Sequence, residues 1–533
     1  MHDSAWSKGL TVEVDGHGVV SHTGSAALRL IADNTGLTGG LSRALARRGF
    51  VPVHDRGRVL GDLAVCIADG GRVLSDLAAL RDQAELYGPV ASDPTAWRTL
   101  EAIGERERQH IAAARAKTRR RVWALSTARL GRIPPSKVAD VDLGKTIVIR
   151  LDATIQIAHS DKEGAAGTFK GTYGHHPLGA WCDNTREALA LRLRPGNAGS
   201  NTAADHIAVL GEAIAQIPDP HRRDLLSTVD GAGATLELIR HITGLNAVHG
   251  RRVHYSVGFD LDHRARAAIG RLRETDWQHG WDRDGVPRDL QGEHGAGVVE
   301  LTGLLRTSHG GDELPNWPAD MRILCRRERP SAGAQLCALE EADGWRYQLV
   351  ATNTPGRQLD FLEARHRAHA RVEDRVRTGK TTGLDHLPST SMAINAAWCV
   401  AAMIATDLLR WFALLCLGPA FHDTEPRTVR YRLLHTAARI VRGQRKRKIK
   451  IPETWPWACE LAAAFVLAFA LTRPDPPAPD RPTPTRGTRP TCGTGATNAT
   501  VGHRPRLPSD PKINSGGEDH QRRTPRRTYA PGE

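Results

Sequence analysis

The sequence lacks the cysteine pairs that hold zinc or cross-link small secreted domains. Its eight cysteines never occur at CxxC spacing, so neither a zinc cage nor a disulfide framework is indicated. The N-terminus has no basic start followed by an apolar core, and no secretory signal is expected. Acidic residues are in deficit, with 59 Asp and Glu against 73 Lys and Arg and a formal charge of +14. That excess favours a polyanionic partner.

Long uninterrupted apolar runs are also scarce. The longest candidate, residues 392–418, contains Asp407 and Arg410 one helical turn apart, and residues 461–471 are too short to span a bilayer. Buried core helices are therefore favoured over membrane spans. Hydrophobic residues make up 40% of the chain, which is enough for a core. The segment after Arg473 has few large apolar residues and is expected to be disordered.

Apolar periodicity divides the chain into a helical region and an α/β region. Residues 24–49 have the outline of a helix-turn-helix. An arginine-rich helix follows, whose basic run Lys117–Arg121 either contacts phosphate or forms a solvated face. From residue 145 three strand patterns predict an antiparallel meander. The order βββαβαβα then predicts a mixed sheet flanked by helices, an α/β fold.

Further strand patterns, including residues 334–341, predict a β-rich insertion in the second half of the chain. A long helix over residues 359–379, an apolar helix from residue 392 and a basic helix over residues 429–452 are expected to follow. The predicted regions are a helical region (1–140), the first part of the core (141–274), the insertion (275–350), the second part of the core (351–472) and a basic Pro/Thr-rich tail (473–533).

Three acidic residues lie on separate predicted elements. Asp152 interrupts the apolar strand pattern of residues 147–157, Asp230 ends a later strand before a glycine-rich turn, and Glu373 lies on the long helix. An ionised carboxylate inside a sheet is costly unless a cation meets it. If the three converge, they can hold two Mg²⁺ ions for phosphodiester displacement. Taken singly, each is more often structural.

Basic side chains flank Glu373 at helical spacing. Four of them share its face of a continuous helix: His366, His369, Arg377 and Lys380. This face suits a scissile phosphate and its neighbours, although a solvated face with a Glu373–Arg377 pair explains the same spacing. A zinc helix made by the two histidines and Glu373 is disfavoured because no further Cys or His motif completes it.

The sequence resembles bacterial insertion-sequence transposases of the DDE type, in the group 1 branch with a ribonuclease-H-like catalytic domain. The resemblance spans roughly residues 20–470 and is carried by stretches such as RLDATIQIAHS, VDGAGAT, RHRAHARVEDRVRTGK and NAAWCVAAMIATDLLRW. The family's two Asp and one Glu match Asp152, Asp230 and Glu373. Related transposases often carry a Tyr-x2-Arg-x3-Glu-x6-Lys signature. Here the Glu and Lys match, as Glu373 and Lys380, but His366 and His369 replace the Tyr and Arg.

The resemblance implies an enzyme that binds terminal inverted repeats through its N-terminal region and cuts and joins DNA. Two Mg²⁺ ions, replaceable by Mn²⁺, would be held by the three acidic residues. DNA contacts are implied for the four basic residues: Lys380, Arg377, His366 and His369. It further implies a homodimer on double-stranded DNA, without a membrane partner, in the bacterial cytoplasm and associated with the nucleoid.

Two other functions fit the same sequence. A metal-dependent nuclease on this fold would cleave DNA without joining strands, and a non-catalytic remnant would bind DNA without cleaving it. The remnant is suggested by the substituted signature and the unusual tail. Three tryptophans of the insertion either stack on a displaced base or pack in a small β core: Trp277, Trp281 and Trp317.

Overall fold

The computed structural model describes residues 9–471 apart from Asp15, Phe50, residues 308–313 and Ala332. The tail predicted to be disordered lies outside the described residues. The α-helices described are α1 (Ser25–Asn34), α2 (Leu37–Ala44), α3 (Arg56–Asp69), α4 (Ala78–Arg81), α5 (Ala84–Tyr87), α6 (Asp93–Glu101), α7 (Glu105–Leu130), α8 (Ala203–Gln216), α9 (Leu236–Gly244), α10 (His263–Ile269), α11 (Thr302–Arg306), α12 (Ala338–Asp343), α13 (Leu359–Arg367), α14 (Arg371–Gly379), α15 (Met392–Cys416), α16 (Pro426–Val429) and α17 (Ala458–Ala470).

The strands of the same residues form one large sheet and three small ones. They are β1 (Val19–Val20), β2 (Lys137–Val138), β3 (Val141–Asp142), β4 (Ile147–Ala153), β5 (Gln156–Ile157), β6 (Ala166–Gly167), β7 (Tyr173–His175), β8 (Leu178–Cys182), β9 (Ala188–Arg192), β10 (Asp224–Val229), β11 (Arg252–Phe259), β12 (Gln278–His279), β13 (Ala296–Glu300), β14 (Arg322–Glu328), β15 (Arg346–Thr352), β16 (Ala438–Gly443) and β17 (Lys446–Lys450).

The large sheet has the order β12-β13-β14-β15-β11-β10-β4-β8-β9. β4, β8 and β9 form the predicted antiparallel meander, and β10 runs parallel to both β4 and β11. With α8, α9 and α10 between and after these strands, the order βββαβαβα and the ribonuclease-H-like mixed sheet are confirmed. The strands of residues 275–350 extend this sheet, because β15 pairs antiparallel with β11.

Two secondary-structure predictions are wrong. Residues 334–341 do not form a strand: α12 begins there, and Glu340 caps it by accepting a hydrogen bond of 2.8 Å from the backbone N–H of Cys337. Residues 429–452 do not form one basic helix, because a short π-helical turn is followed by the hairpin β16–β17. The β-branched pair Ile440 and Ile449 faces across the hairpin strands, where such residues pack well.

The apolar helix α15 lies in the core. Among the described residues it is the helix long and apolar enough to cross a membrane, and it is entirely buried within the fold. Its Asp407 is 0% exposed and accepts hydrogen bonds from Arg115 at 2.8 Å and Arg119 at 2.7 Å, both on α7. A buried carboxylate requires such cationic partners. The carboxylate of Asp407 therefore joins α15 to α7.

The basic run of α7 is divided between the interior and the surface. Arg119 is fully buried and also donates to Glu187, just before β9, at 2.8 Å. It can therefore be neither a phosphate contact nor part of a solvated face, which corrects the prediction at this position. Lys117, Arg120 and Arg121 remain exposed. Helical periodicity identified the helix but could not show that α15 covers one side of it.

Replacing Asp407 should destabilise the fold strongly. In Asp407→Ala, Arg115 and Arg119 lose a buried counter-charge, and the free energy of unfolding should fall by about 3–5 kcal/mol. The matched control is Asp219→Ala, which removes a 64% exposed partner of Arg120 on the same helix and should cost less than about 1 kcal/mol. Denaturant unfolding followed by circular dichroism measures both. Equal losses in the two variants would contradict this account.

Candidate active site

Two of the predicted acidic residues lie at the carboxyl ends of adjacent strands in the large sheet. Asp152 is the last but one residue of β4, and Asp230 directly follows β10. These strands are parallel neighbours, with Arg150 opposite Thr228. Because side chains alternate along a strand, Asp152 and Asp230 lie two residues further on, at the same strand ends. The fold thus brings together two carboxylates that are 78 positions apart in the sequence.

A row of polar side chains across the sheet hydrogen-bonds to the segment that precedes α14, the helix that carries Glu373. The row comprises one residue from each of four adjacent strands: Arg150, Thr228, Ser256 and Thr352. Three side chains preceding α14 hydrogen-bond to it at 3.1, 3.1 and 2.9 Å: Arg365 to Thr352, His366 to Ser256 and His369 to Thr228. Glu373 follows His369 by about one helical turn. Its position is therefore set from the sheet.

Asp183 adds an ionic connection between the sheet and α14. Its carboxylate accepts a hydrogen bond of 2.8 Å from Arg150 of β4 and lies 3.6 Å from Arg371, the first residue of α14. Although burial opposes it, Arg150 and a hydrogen bond from Ser136 hold the pKa of Asp183 well below its usual range. The strand carrying Asp152 and the helix carrying Glu373 thus share one anionic partner.

The histidines predicted to contact DNA face the sheet instead. His369 is buried, and burial followed by the charge of Arg150 lowers its pKa to about 3. Burial and the charge of Arg365 lower the pKa of His366 to about 4. Both imidazoles are therefore neutral near pH 7, which argues against a role as cationic phosphate contacts. A 3₁₀ turn at Ala368–Ala370 also interrupts the continuous face on which that prediction relied.

The remaining two basic residues are placed differently from each other. Arg377 is exposed and donates to Asp374 at 2.9 Å and to Glu425 at 3.1 Å. Lys380 lies close to Asp152, because its Nζ donates to the carbonyl of Ile155, just beyond β4, at 3.0 Å. Burial and a neighbouring lysine lower the pKa of Lys380. Of the two, Lys380 is the cation beside Asp152.

The three carboxylates interact electrostatically. Burial, and then the negative charges of Asp230 and Glu373, raise the pKa of Asp152 to about 7, while Lys170 acts in the opposite direction. Lys170 was missed by the sequence analysis, because it lies in an exposed loop whose residue spacing marks no motif. It is the second lysine whose charge acts on Asp152. The carboxylates repel one another, and a bound cation would relieve that repulsion.

The donor set of this triad fits a hard divalent cation. It offers carboxylate oxygens, which Mg²⁺ and Mn²⁺ prefer. The ligand atoms of Asp152, Asp230 and Glu373, all of them described residues, do not all lie within 4.8 Å of one another.

A second group of possible metal ligands lies outside the triad. His22, Asp69 and His435 each offer one ligand atom, and these atoms all lie within 4.8 Å of one another. The Asp69 carboxylate is 2.5 Å from His22 Nδ1 and 3.3 Å from His435 Nε2, and it accepts a hydrogen bond from Ser25. Although burial opposes it, these hydrogen bonds lower the pKa of Asp69 to about 2. The group joins the two ends of the described chain, and the sequence analysis did not foresee it.

Comparison with known proteins identifies the family. The profile of Transposase DDE domain group 1 matches residues 3–470. The chain belongs to this transposase family. Comparison with curated proteins gives no match. Among solved structures, the chain is similar to a cryo-EM structure of a piggyBac transposase synaptic complex with hairpin DNA. The identity is 8% and the TM-score 0.36, over 77% of this chain and 79% of the other.

The repulsion within the triad predicts a pH effect on the metal-free protein. The folded-state pKa of Asp152, about 7, exceeds its ordinary value of 3.8. Protonated Asp152 therefore stabilises the fold fully below about pH 4, and this contribution is lost as the pH rises through about 7. In EDTA, the melting temperature should fall between about pH 6 and about pH 8. It should fall less in Asp230→Asn, because one repelling charge is absent.

Differential scanning calorimetry at the two pH values measures this effect. Asp224→Asn is the matched control, since Asp224 begins the same strand and pairs with Arg252 at 2.6 Å. It should keep the pH dependence of the natural protein. The same pH dependence in Asp230→Asn as in the natural protein would show that the two carboxylates do not interact.

Proposed function

We propose that this protein is the DNA transposase of a bacterial insertion sequence. It would bind the terminal inverted repeats of its element and catalyse Mg²⁺-dependent phosphodiester hydrolysis and strand transfer. The observation that carries the proposal is the placement of Asp152 and Asp230 at the ends of adjacent parallel strands, where the charges of Asp230 and Glu373 both act on Asp152. Such a cluster of carboxylates suits divalent cations more than it suits folding stability. Membership of the transposase family supports the same reaction.

The acidic residues and the nearby lysines have separate roles in this proposal. Asp152, Asp230 and Glu373 would hold the cations. Two bound Mg²⁺ ions supply activation of the attacking oxygen and stabilisation of the leaving oxygen. Lys380 and Lys170, whose charges both act on Asp152, would hold the phosphates on either side of the scissile bond. Arg377 would contact DNA only after leaving Asp374 and Glu425.

The proposed reaction has two steps, hydrolysis and strand transfer. In the first, a water oxygen bonds to the phosphorus at the element's end, and the bond to the 3′-oxygen breaks. The products are a 3′-hydroxyl and a 5′-phosphate. In the second, this 3′-hydroxyl attacks a target phosphorus in line, and the target's own 3′-oxygen leaves. The number of phosphodiester bonds is conserved in the second step, so it requires no external energy source.

The N-terminal helices would recognise the repeats. α1 and α2 are separated by Gly36, whose φ of 87° reverses the chain within the predicted helix-turn-helix outline. A homodimer would pair the two ends of the element, in the bacterial cytoplasm and at the nucleoid. A nuclease that cleaves without joining, or a remnant that only binds, would use the same elements. The hydrogen bonds of His366 and His369 to the sheet are compatible with the altered signature, because they support the position of Glu373.

Cleavage of DNA tests the proposal. The purified protein is incubated with Mg²⁺ and a labelled duplex containing the sequence that flanks its gene. We expect nicking at the element boundary, reduced by about 100-fold or more in Asp230→Ala, since even outer-shell changes at metal sites cost about 10–100-fold. Asp224→Ala, on the far end of the same strand, should nick normally.

The outcomes separate the three functions. Nicking followed by joining to a second duplex supports the transposase. Nicking without joining, when both element ends are present, indicates a nuclease. Specific binding with no nicking by the natural protein indicates a remnant. Undiminished nicking by Asp230→Ala would contradict the assignment of the triad.

A further inference from the structure

The hairpin β16–β17 concentrates positive charge. Seven of the thirteen residues 438–450 are Lys or Arg, and none is acidic. All seven are exposed. The hairpin pairs with β1 through Val19 opposite Arg439 and Val20 opposite Ala438, which fixes it to the folded chain. It is therefore a positioned strand pair and not a free basic segment.

The two faces of the hairpin differ in how their charges are compensated. The inner face carries Arg442 and Arg447, which lie opposite each other. Arg442 donates to the carboxylate of Glu85 at 2.5 and 2.6 Å, and Arg447 donates to the backbone carbonyl of Glu85 at 2.9 Å. On the same face Ile440 and Ile449 line a cavity with α17. This face is bound to the rest of the protein.

The outer face and the tip carry the other cations. They are Arg439, Arg445, Lys446, Lys448 and Lys450. Among the residues that the structure describes, none of these five has an ion-pair partner within 4.0 Å. Arg439 lies directly opposite Lys450, and like charges at such positions destabilise a strand pair. No carboxylate of the described residues offsets this repulsion through an ion pair.

The turn of the hairpin is also conformationally costly. Gln444 and Arg445 connect the paired residues Gly443 and Lys446 and have φ of 46° and 61°. Two-residue turns of this kind favour Asn and Gly, because other side chains resist positive φ. The sequence nevertheless places a basic residue at the tip. Unfavourable backbone conformations of this kind concentrate at functional sites.

The geometry points to the outer face of β16–β17 as a contact surface for the phosphate backbone of double-stranded DNA. The major groove is about 12 Å wide and admits a two-stranded β-ribbon. Lys446, Lys448 and Lys450 are alternate residues of one strand, so they project on one side about 7 Å apart. A row of exposed lysines contacts successive phosphates without reading sequence. This inference rests on the proposed function, in which the substrate is duplex DNA.

The salt dependence of DNA binding tests the surface. The probe is a fluorescein-labelled mixed-sequence duplex about three helical turns long, titrated in EDTA so that no cleavage occurs. Lys446→Gln with Lys448→Gln removes two outer cations. Each lost phosphate contact lowers the slope of log K against log salt by about 0.9, so the slope should fall by about 1.8. Between about 50 and 200 mM salt, the affinity advantage of the natural protein should shrink about 12-fold.

The inner face provides the matched control. Arg442→Gln with Arg447→Gln makes the same change of net charge within the same hairpin, and it should leave the salt slope unchanged. Melting temperatures and circular dichroism of both variants establish that they are folded. An unchanged slope in the outer variant, or an equal fall in both variants, would overturn the proposal.

The experiment also distinguishes DNA contact from membrane contact, and this surface from the acidic triad. If phosphatidylserine vesicles bind the natural protein but not the outer variant, while duplex binding is the same for both, the surface is a membrane contact and the proposal is overturned. Binding in EDTA is independent of the triad, so loss of nicking in Asp230→Ala would not affect this result. Conversely, if the natural protein nicks normally while the outer and inner variants show the same salt slope, that result supports the proposed function and overturns the proposed DNA-contact surface.

Discussion

A buried charge cluster holds two long helices, α7 and α15, against the large sheet. Arg119 of α7 donates to both Asp407 of α15 and Glu187 before β9. Glu187 also accepts the indole N–H groups of Trp123 at 2.7 Å and Trp411 at 2.6 Å. Such a group is costly to desolvate and tolerates few rearrangements, because every alternative leaves a charge without a partner. α7 and α15 are therefore fixed relative to β9, which is separated only by β8 from β4, the strand on which Asp152 lies.

The carboxylates at the ends of β4 and β10 follow the opposite electrostatic rule. In the buried cluster each carboxylate is matched by a cation, whereas the charges of Asp230 and Glu373 raise the pKa of Asp152. Carboxylates arranged to repel one another weaken the metal-free fold, and a bound cation recovers that loss. The surrounding structure must hold them in place. The polar row beneath the helix does so, because His369 and Thr228 hydrogen-bond across the interface between helix and sheet.

The sequence predicts the sheet better than it predicts the contacts of the helices. The strand of Asp152 and the crossover to Asp230 are local patterns, and parallel pairing then brings the two together. The orientation of His369 depends on Thr228, 141 positions away, and the burial of Arg119 depends on Asp407, 288 positions away. Helical periodicity shows which residues share a face, but not whether that face meets solvent or another element. The charged residues of a helix are therefore the least predictable part of the site.

The altered signature around Glu373 involves two histidines whose orientation the sequence does not reveal. If His366 and His369 faced the DNA, replacing a permanent cation with histidine would make DNA binding weak and pH-dependent. They face the sheet as neutral hydrogen-bonding groups, so they contribute position and not charge. The positive charge that a DNA backbone needs must then come from other elements. In the proposed function, Lys380 and Lys170 would supply it beside Asp152, and the outer face of β16–β17 would supply it away from these carboxylates. In this proposal, the residues that position Glu373 are different from the residues that would bind phosphate.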